Sequence, residues 1–298
     1  MFETERNPAA VVYGLTQRGF FSEVYVLACH YAFAVAAGEA FFVDDTGFVA
    51  PWGQLFDRPL PAVAEMDPGA YAAVLDCHPK RSRELWLERL RWVVGSCREG
   101  ARVEVPALDF AGSWTELVIG LCRRLYRPAP GIVRQAAAWS AELGLDEAPF
   151  CAVHLRRGDK TQEIVKPSGT RWSEGEAIGF DLYVEALAGL APGVRRVLML
   201  TDDHRELAQA RAAFPHLDIV SLCRPEEEGY HQSAFRALPR EARVDSVRRL
   251  MAEVLIAARA EAFAGVYSSN VSLMIAALHP RPERCVSVDS EKVWPPLV

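Results

Sequence analysis

Three short clusters of charged and polar residues in the second half of the chain contain the residue types that could do chemistry. Adjacent arginines provide planar, permanently charged forks that suit phosphate oxygens, and Gly158 would let the backbone approach a ligand closely. A helix that begins near Ser269 or Asn270 would add free backbone N–H groups, a second anion site. Together these features predict a diphosphate pocket built from HLRRGDK at 154–160, TDDH at 201–204 and YSSN at 267–270.

Each cluster alone also has a simpler interpretation. Arg156 and Arg157 could pair with surface carboxylates, since such pairs are common and contribute little. TDDH could be an N-cap through Asp202 or Asp203, and YSSN is likewise an ordinary capping sequence. His154, on the preceding strand, is by its type more often a packed residue than a ligand. The tripeptide RGD is read by adhesion receptors, but the sequence shows no secretion signal in support of that role.

The elements that would position these clusters form a regular pattern from Phe150 onward. Five apolar runs alternate with helical stretches, which predicts a parallel sheet covered on both faces, with ligands at the carboxyl ends of its strands. The first half opens with a strand at 10–15, a helix capped by Ser22 that runs to about Ala37, and a second strand, EAFFVDD. We therefore predict an α/β protein of two layers that face a cleft. The predicted domains are residues 1–145 and 146–298, with LDEAP as the linker.

Composition narrows the choice of function. The 298 residues are 50% hydrophobic and 24% charged with a formal net charge of −6, which argues against disorder and against a polycationic nucleic-acid binder. The seven scattered cysteines lack C-x-x-C spacing, and no Cys/His cluster or H-E-x-x-H motif predicts a metal. No signal peptide or membrane span is apparent. We expect a soluble, cytoplasmic protein with a small-molecule or glycan partner and no metal or cofactor.

In its clusters the chain resembles a known family, the fucosyltransferases that share an HxRRxDK-type motif. This family includes core α1,6-fucosyltransferases, rhizobial Nod-factor enzymes and related O-fucosyltransferases. The resemblance implies a GT-B-like architecture of two Rossmann-type domains, the second of which binds GDP-fucose, with inverting, metal-independent transfer. It rests on VHLRRGDK at 153–160, VLMLTDDHRELAQARAAFP at 197–215 and AEAFAGVYSSNVSLMIAAL at 260–278, and more loosely on GFFSEVYVLACHYAFAVAAGEAFFVDD and WGQLFDRP in the first half.

Carried over residue by residue, the resemblance implies a nucleotide-sugar site in the second half. Arg156 would hold the β-phosphate and stabilise the charge that builds on the leaving GDP. Glu253 stands where the family has a guanine-reading aspartate, and a carboxylate can accept hydrogen bonds from guanine N1–H and the exocyclic amine. Glu253 could instead be a solvated surface glutamate. The implied nucleotide side comprises His154, Arg156, Arg157, Lys160, Asp202, Asp203, Glu253, Ser268, Ser269 and Asn270.

The general base that would activate the acceptor hydroxyl stays open between several carboxylates. The family places a glutamate a few residues after its motif, and Glu163 is the nearest match although it comes one position early. Asp159 and Glu174 are alternatives, while Glu163 could be no more than an exposed loop charge. The predicted catalytic residues are therefore Arg156, Glu163 and Asp159.

Acceptor contacts are expected mainly at the strand ends of the first half, in TQRGFFSE and DDTGF. A further departure from the family is GYHQSAF, which replaces its H-N-R segment after the third strand. Loop solubility is the simpler interpretation of the first-half residues. The predicted acceptor-side residues are Arg18, Gly19, Glu23, Asp44, Asp45, Tyr230 and His231.

These inferences predict a glycosyltransferase that moves a sugar from a GDP-sugar, above all GDP-fucose, to a glycan, glycolipid or small glycoside. Two alternatives remain. The same fold could use another nucleotide-sugar donor, with a different hexose or pentose. The chain could also be a catalytically silent nucleotide-sugar-binding protein, a reading supported by the shifted Glu163 and the altered GYHQSAF segment. The sequence does not indicate an oligomeric state.

Overall fold

The computed structural model describes residues 8–17, 19–57, 60–160, 164–165, 171–172 and 177–289, the side chains of Lys160, 164–165 and 171–172 excepted. By its internal contacts the chain divides into two compact units, the first ending at Ala129 and the second beginning at Pro130. The boundary predicted between residues 145 and 146 falls inside the second unit. The reason is that the helix over Pro130–Glu142 packs mainly on another helix of that unit, Arg240–Ala257.

The first unit contains a three-stranded parallel sheet with the strand order β2-β1-β3. Helix α1 connects β1 to β2 and packs against α3 and α4, and an antiparallel hairpin pairs β4 with β5. The elements are β1 (Ala10–Gly14), α1 (Phe20–Ala36), β2 (Ala40–Asp44), α2 (Trp52–Leu55), β3 (Val74–Cys77), α3 (Arg83–Arg98), β4 (Arg102–Val105), β5 (Phe110–Ser113) and α4 (Trp114–Leu125).

The predicted start of α1 is wrong. The helix begins at Phe20, with Gly19 as the N-cap residue and no side-chain cap, so that Ser22 lies inside the first turn. The extra residues bring the side chains of Phe20 and Phe21 into the core, where they are 8% and 2% exposed. A serine cap contributes about 1 kcal/mol, whereas burial of a large apolar side chain contributes about 1.5–3 kcal/mol. Packing therefore decides where this helix begins.

The second unit confirms the predicted five-stranded parallel sheet with helices between its strands. A short antiparallel pair, β7 with β8, follows the first strand of the unit. The elements are α5 (Pro130–Glu142), β6 (Phe150–Leu155), β7 (Ile164–Val165), β8 (Arg171–Trp172), α6 (Phe180–Leu190), β9 (Arg196–Thr201), α7 (His204–Ala213), β10 (Asp218–Val220), α8 (Gln232–Ala237), α9 (Arg240–Ala257), β11 (Phe263–Gly265), α10 (Asn270–Leu278) and β12 (Cys285–Ser287).

Helices cover both faces of this sheet, and the alternation along β6 shows which residues meet which helices. Cys151, Val153 and Leu155 belong to a buried cluster with residues of α6 and α7. His154 points to the opposite face, toward α10. The first strand is thus buried on both sides, which is why its sequence is almost continuously apolar rather than alternating.

The strand order of the second sheet is β10-β9-β6-β11-β12. Numbered within the unit, this order is 3-2-1-4-5, which is the Rossmann order. The second and third strands lie on one side of the first strand, and the fourth and fifth lie on its other side. The topological switch point therefore lies between β6 and β11, and open α/β sheets bind their ligands beyond the carboxyl ends of the strands at such a point. In the part of the chain that the structure describes, no helix is both long and apolar enough to cross a membrane.

Candidate functional site

Arg156 directly follows β6, and its guanidinium is enclosed by four groups. Nη2 donates to Asp159 Oδ1 at 2.7 Å, and Nη1 donates to the carbonyl of Arg157 at 2.7 Å and pairs with Asp202. The guanidinium carbon lies over the ring of Tyr230, 5.0 Å from its centroid. Burial lowers the pKa of this arginine, and Asp159 opposes that effect. No partner is found for Nε–H among the described residues, so this donor is available for a ligand.

Asp202, at the end of β9, links two loops that come from distant parts of the chain. Its carboxylate accepts the backbone N–H of Arg157 at 2.8 Å on one oxygen and that of Tyr230 at 2.8 Å on the other. Its carbonyl accepts the N–H of Gly229 at 2.7 Å. We call residues 156–160 the arginine loop and residues 229–232 the tyrosine segment. Asp202 thus fixes the tyrosine segment against the arginine loop.

Gly158 has a role different from the predicted one. A Cβ at this position would lie 2.6 Å from the backbone nitrogen of Tyr230 and closer still to its carbonyl oxygen, and the residue has a φ of +66°. The backbone that approaches Gly158 is therefore the tyrosine segment and not a ligand. Gly229 is its counterpart, because a Cβ there would lie 2.9 Å from the Cα of Gly158. The two glycines allow the two backbones to pack directly on each other.

Asp159 completes this connection. Its N–H donates to the carbonyl of Tyr230 at 2.9 Å, and its carboxylate accepts the N–H of Gln232 at 2.9 Å in addition to Arg156. Both carboxylate oxygens are thus engaged within the protein. Each oxygen keeps a second lone pair, so these hydrogen bonds orient the carboxylate and are compatible with a role as general base.

Arg157 is placed quite differently from its neighbour Arg156. Its side chain turns toward α7, where Nε and Nη2 donate to the two carboxylate oxygens of Glu206 at 2.8 and 3.1 Å. Nη2 also donates to the carbonyl of Ile178 at 2.8 Å. The residue is only 9% exposed. Its donors are directed into the protein, which favours a role in holding the end of β6 to α7.

The TDDH cluster separates into two functions. Asp203 is the N-cap of α7: it accepts the N–H of Arg205 at 2.9 Å and also forms a two-point ion pair with the Arg205 side chain. The capping interpretation is therefore confirmed for Asp203. Its hydrogen bonds from Arg205, against a smaller effect of burial, lower the pKa of the carboxyl. Asp202 is the member that faces the arginine loop.

His154 ties β6 to α10 across the switch point. Its Nδ1 lies 2.7 Å from Ser272 Oγ, and the side chain is 6% exposed. Burial, reinforced by the nearby Arg156 charge, lowers the pKa of His154 to about 3, so the imidazole is neutral at physiological pH. Gly265 of β11 allows this close approach, since a Cβ there would lie 2.7 Å from Ser272 Oγ. The packed interpretation of His154 is the one that its contacts favour.

The start of α10 provides the second anion-binding feature. Ser269 is its N-cap residue and its side chain makes no cap hydrogen bond, so among the described residues the N–H groups of the first turn lack that acceptor. Ser269 is 7% exposed, whereas Ser268 is exposed and Asn270 lies between these extremes. Asp289 fixes the approach to the helix by accepting the N–H groups of Tyr267 and Ser268 at 2.7 and 3.1 Å.

Glu253 lies on α9 in a cluster of charged groups rather than in open solvent. Its carboxylate is 3.7 Å from Arg249 Nε and its side chain is 14% exposed. Arg249 also pairs with Glu227, and Glu227 accepts the N–H of Arg224 at 3.0 Å. Burial raises the pKa of Glu253 to about 7, with Arg249 opposing and Glu227 adding to the rise. Glu227 is three residues from Tyr230, so this cluster and the tyrosine segment belong to one loop.

The raised pKa of Glu253 determines how its contribution to the free energy of unfolding changes with pH. The folded protein holds the Glu253 proton more tightly than the unfolded chain does. The stability that the group contributes is therefore present at acid pH and is lost as the pH rises through about 7.

The acceptor-side candidates of the first unit take varied positions. Glu23 is 1% exposed and accepts a hydrogen bond from Thr16 Oγ1, so it holds the loop before α1 and has little surface to present. Asp44, at the end of β2, accepts from Thr46 and from Arg81 Nη2 at 3.1 Å. Asp45 accepts the N–H of Trp52 at 2.6 Å. Tyr230 and His231 belong to the second unit, where His231 is the N-cap residue of α8.

Some predicted residues lie outside the described part of the chain. These are Glu163, Glu174 and Arg18, together with the side chain of Lys160. Sequence reasoning also missed residues that complete the site from distant parts of the chain. Of these, only Ser272 has a local signal, because it comes three residues after the predicted cap Ser269. The missed residues are Glu206, Glu227, Gln232, Arg249, Ser272 and Asp289. Among the described residues, no group of three or more His, Cys, Asp or Glu side chains could hold a metal ion.

Comparison with known proteins gives a similarity in fold. No protein-family model and no curated protein matches the chain in sequence. Among solved structures, POFUT1 in complex with GDP is 15% identical with a TM-score of 0.51, over 95% of this chain and 98% of that one. The NodZ α1,6-fucosyltransferase co-crystallised with GDP is 16% identical with a TM-score of 0.54, over 93% of this chain and 94% of that one.

A FUT1 variant from Arabidopsis thaliana in complex with GDP is 9% identical with a TM-score of 0.53, over 93% of this chain and 70% of that one. POFUT1 has also been solved with GDP-fucose, in a structure that is 14% identical with a TM-score of 0.50. These likenesses show the fold: the chain has the α/β architecture of GT-B-like fucosyltransferases.

Proposed function

We propose that this protein is a glycosyltransferase that uses a GDP-sugar, above all GDP-fucose, as its donor. The observation that carries the proposal concerns β6 and β11, the two strands that flank the switch point of a Rossmann sheet. Arg156 directly follows β6, and α10 begins after β11. The 2.7 Å contact between His154 and Ser272 joins these two strand-to-helix connections. The fold shared with solved GDP complexes of fucosyltransferases supports the same reading.

In this proposal the site acts mainly by holding the diphosphate. Arg156 offers Nε–H to a β-phosphate oxygen, and the first turn of α10 directs N–H groups to the same phosphates. When the bond between the sugar and GDP breaks, negative charge grows on the β-phosphate. Donors that are already oriented toward that charge lower the barrier without reorganising at the moment of reaction. The acceptor hydroxyl attacks C1 from the face opposite GDP, which inverts the configuration.

The general base in this proposal remains Glu163, with Asp159 and Glu174 as alternatives. Asp159 is the candidate whose surroundings are described, and both of its oxygens already accept hydrogen bonds. Each oxygen keeps a second lone pair, so Asp159 stays a candidate base, and the silent nucleotide-sugar binder is supported by the shifted Glu163 and the altered GYHQSAF segment. Metal independence is part of the proposal, and activity that persists in excess chelator would support it.

Donor recognition provides the main test. We expect calorimetric titration to show tighter binding of GDP than of UDP or ADP, because a carboxylate at Glu253 can accept two hydrogen bonds that uracil and adenine do not offer in that pattern. GDP-fucose and other GDP-sugars are then incubated with a panel of glycans and glycosides. A mass gain of one sugar on an acceptor supports transfer. Binding without any mass gain or donor hydrolysis favours the silent binder, and tighter UDP or ADP binding overturns the guanine assignment.

Glu253 also predicts a pH dependence of GDP binding. Only the carboxylate can accept from both guanine donors at once, and its pKa of about 7 means that the fraction of this competent form grows as the pH rises. Between pH 6 and pH 8 this effect alone should tighten GDP binding about tenfold. The change is measured as the dissociation constant across that range, in the wild type and in Glu253→Gln.

The same comparison contains its control. The terminal phosphate of GDP titrates in this range as well, with a pKa of about 6, but it does so for both proteins. The difference between the two pH profiles therefore isolates Glu253. Parallel profiles for wild type and Glu253→Gln would show that this residue does not read the base.

A further inference from the structure

We propose that Tyr230 is a positioning residue for Arg156: its aromatic ring holds the guanidinium so that Nε–H meets a β-phosphate oxygen. This inference rests on the proposed function. It also moves Tyr230 from the acceptor side, where the sequence grouped it, to the nucleotide side. The observation that motivates it is the guanidinium carbon of Arg156 lying over the Tyr230 ring, 5.0 Å from the ring centroid.

The position of the Tyr230 ring is set by backbone contacts. The Tyr230 N–H donates to Asp202 Oδ2 at 2.8 Å, and its carbonyl accepts the N–H of Asp159 at 2.9 Å. Gly158 and Gly229 bring the two backbones so close that neither position has room for a Cβ. None of these contacts uses the Tyr230 side chain. A substitution that changes only the ring should therefore leave the tyrosine segment in place.

The ring itself is held at its far end. Its hydroxyl donates to Gln232 Oε1 at 3.0 Å, and the ring of Phe235 lies 5.6 Å away at a tilt of 43°. Burial raises the pKa of Tyr230 to about 12, with Asp159 adding to the rise and Arg156 opposing it. The hydroxyl therefore stays protonated, and the side chain presents a neutral ring to Arg156 throughout the physiological pH range.

An aromatic ring suits the position beside Arg156 because it is uncharged. Arg156 already faces the carboxylates of Asp159 and Asp202, so these three groups together carry one net negative charge. A third carboxylate would restrain the guanidinium but would repel a diphosphate further. An aromatic face attracts the cation through its quadrupole and adds no charge. The ring can therefore orient Arg156 at little electrostatic cost to an anionic ligand.

A positioning role for Tyr230 and a purely structural role predict different effects on nucleotide affinity. If the Tyr230 ring orients Arg156, loss of the ring should weaken the interaction with the β-phosphate and leave the contacts to the rest of the nucleotide unchanged. A purely structural role would weaken the binding of any nucleotide. GMP lacks the β-phosphate, so the ratio of GDP to GMP affinity separates these two roles.

The test uses Tyr230→Leu, which removes the ring, and Tyr230→Phe, which keeps it and loses only the hydrogen bond to Gln232. We expect Tyr230→Leu to weaken GDP binding about tenfold, the scale of a partly buried cation–π contact, and to change GMP binding less than twofold. Tyr230→Phe should retain GDP affinity within about threefold, the scale of one partly buried hydrogen bond between neutral groups. Calorimetry with both nucleotides measures all of these values.

Phe214→Leu is the matched control, because it removes a partly buried ring of the second unit whose ring contacts are with Phe180 and His216. We expect it to keep the GDP to GMP ratio of the wild type. Thermal melting checks that each variant folds. If Tyr230→Leu does not fold, Tyr230→Met, which fills similar space without a ring, replaces it.

The outcomes distinguish this inference from the function on which it rests. If the wild type does not bind GDP, the proposed function fails, whatever Tyr230 does. If the wild type binds GDP but Tyr230→Leu binds it equally well, Tyr230 does not position Arg156. An equal loss of GDP and GMP affinity would likewise assign the ring to general packing, and a large loss in Tyr230→Phe would assign the effect to the hydroxyl.

Discussion

Replacing Arg156 with alanine should weaken GDP binding by at least a hundredfold and abolish detectable sugar transfer. The substitution removes the cation that faces the proposed β-phosphate, and it leaves the carboxylates of Asp159 and Asp202 without their shared partner. Truncating one member of a buried charge pair costs about 2–5 kcal/mol. The two exposed negative charges would in addition repel a diphosphate. Calorimetry gives the affinity, and mass spectrometry gives the transfer rate.

Two further variants sharpen this result. Arg156→Lys should remain at least tenfold impaired, because an ammonium cannot reproduce a planar fork that serves two carboxylates, a carbonyl and a phosphate at once. Arg248→Ala is the control, since Arg248 lies on α9, is 45% exposed and pairs only at 3.5 Å with Asp245. It should bind GDP as the wild type does. Unchanged binding in Arg156→Ala would remove the diphosphate role on which the proposed function depends.

Gly158→Ala should both destabilise the protein and weaken GDP binding. The residue has a φ of +66°, and the new Cβ would collide with the backbone of Tyr230. Backbone cannot move aside as a flexible side chain can, so the arginine loop and the tyrosine segment would separate. We expect a loss of about 3 kcal/mol in the free energy of unfolding. We also expect GDP affinity to fall by at least tenfold, because Arg156 would lose its contact with the Tyr230 ring.

Gly193 offers a matched comparison for the backbone term. It has a φ of +86°, and a Cβ there would meet nothing within 4 Å. Gly193→Ala should therefore cost only the left-handed conformation, about 1–2 kcal/mol, and leave GDP binding unchanged. Chemical denaturation and calorimetry on both variants separate backbone strain from collision. Equal losses in the two variants would mean that the contact between Gly158 and Tyr230 does not support the site.

The sequence was most informative where local pattern and local structure coincide. Apolar, β-branched runs between helical stretches predicted the five parallel strands of the second unit, because a strand buried on both faces must be apolar throughout. Capping chemistry is equally local, and Asp203 and Ser269 are the N-cap residues of their helices. The first unit was harder to read. Its helix α1 starts earlier than the Ser22 cap suggested, since the burial of Phe20 and Phe21 outweighs one capping hydrogen bond.

Adjacent residues show the limit of reading a site from its motif. Arg156 and Arg157 are indistinguishable by type, yet Arg157 forms a two-point pair with Glu206, which lies 49 residues further along the chain. Glu253 was open between a cleft and water, and only the folded unit buries it, which raises its pKa to about 7 although Arg249 opposes the rise. For Arg157 the deciding partner is brought near by a crossover connection, whereas Glu253 has one neighbour four residues away on α9 and a second, Glu227, in the loop before α8.

The sequence by itself determined the α/β class of the second unit, the strand ends that carry polar clusters, and the Asp203 cap of α7. All of these follow from contacts between residues close in the chain. Tertiary structure alone decided the strand order that puts β6 beside β11, the different partners of Arg156 and Arg157, and the use of Gly158 for the tyrosine segment. Those features depend on pairs such as His154 and Ser272, 118 residues apart. Local propensity carries no information about such pairs, which packing alone selects.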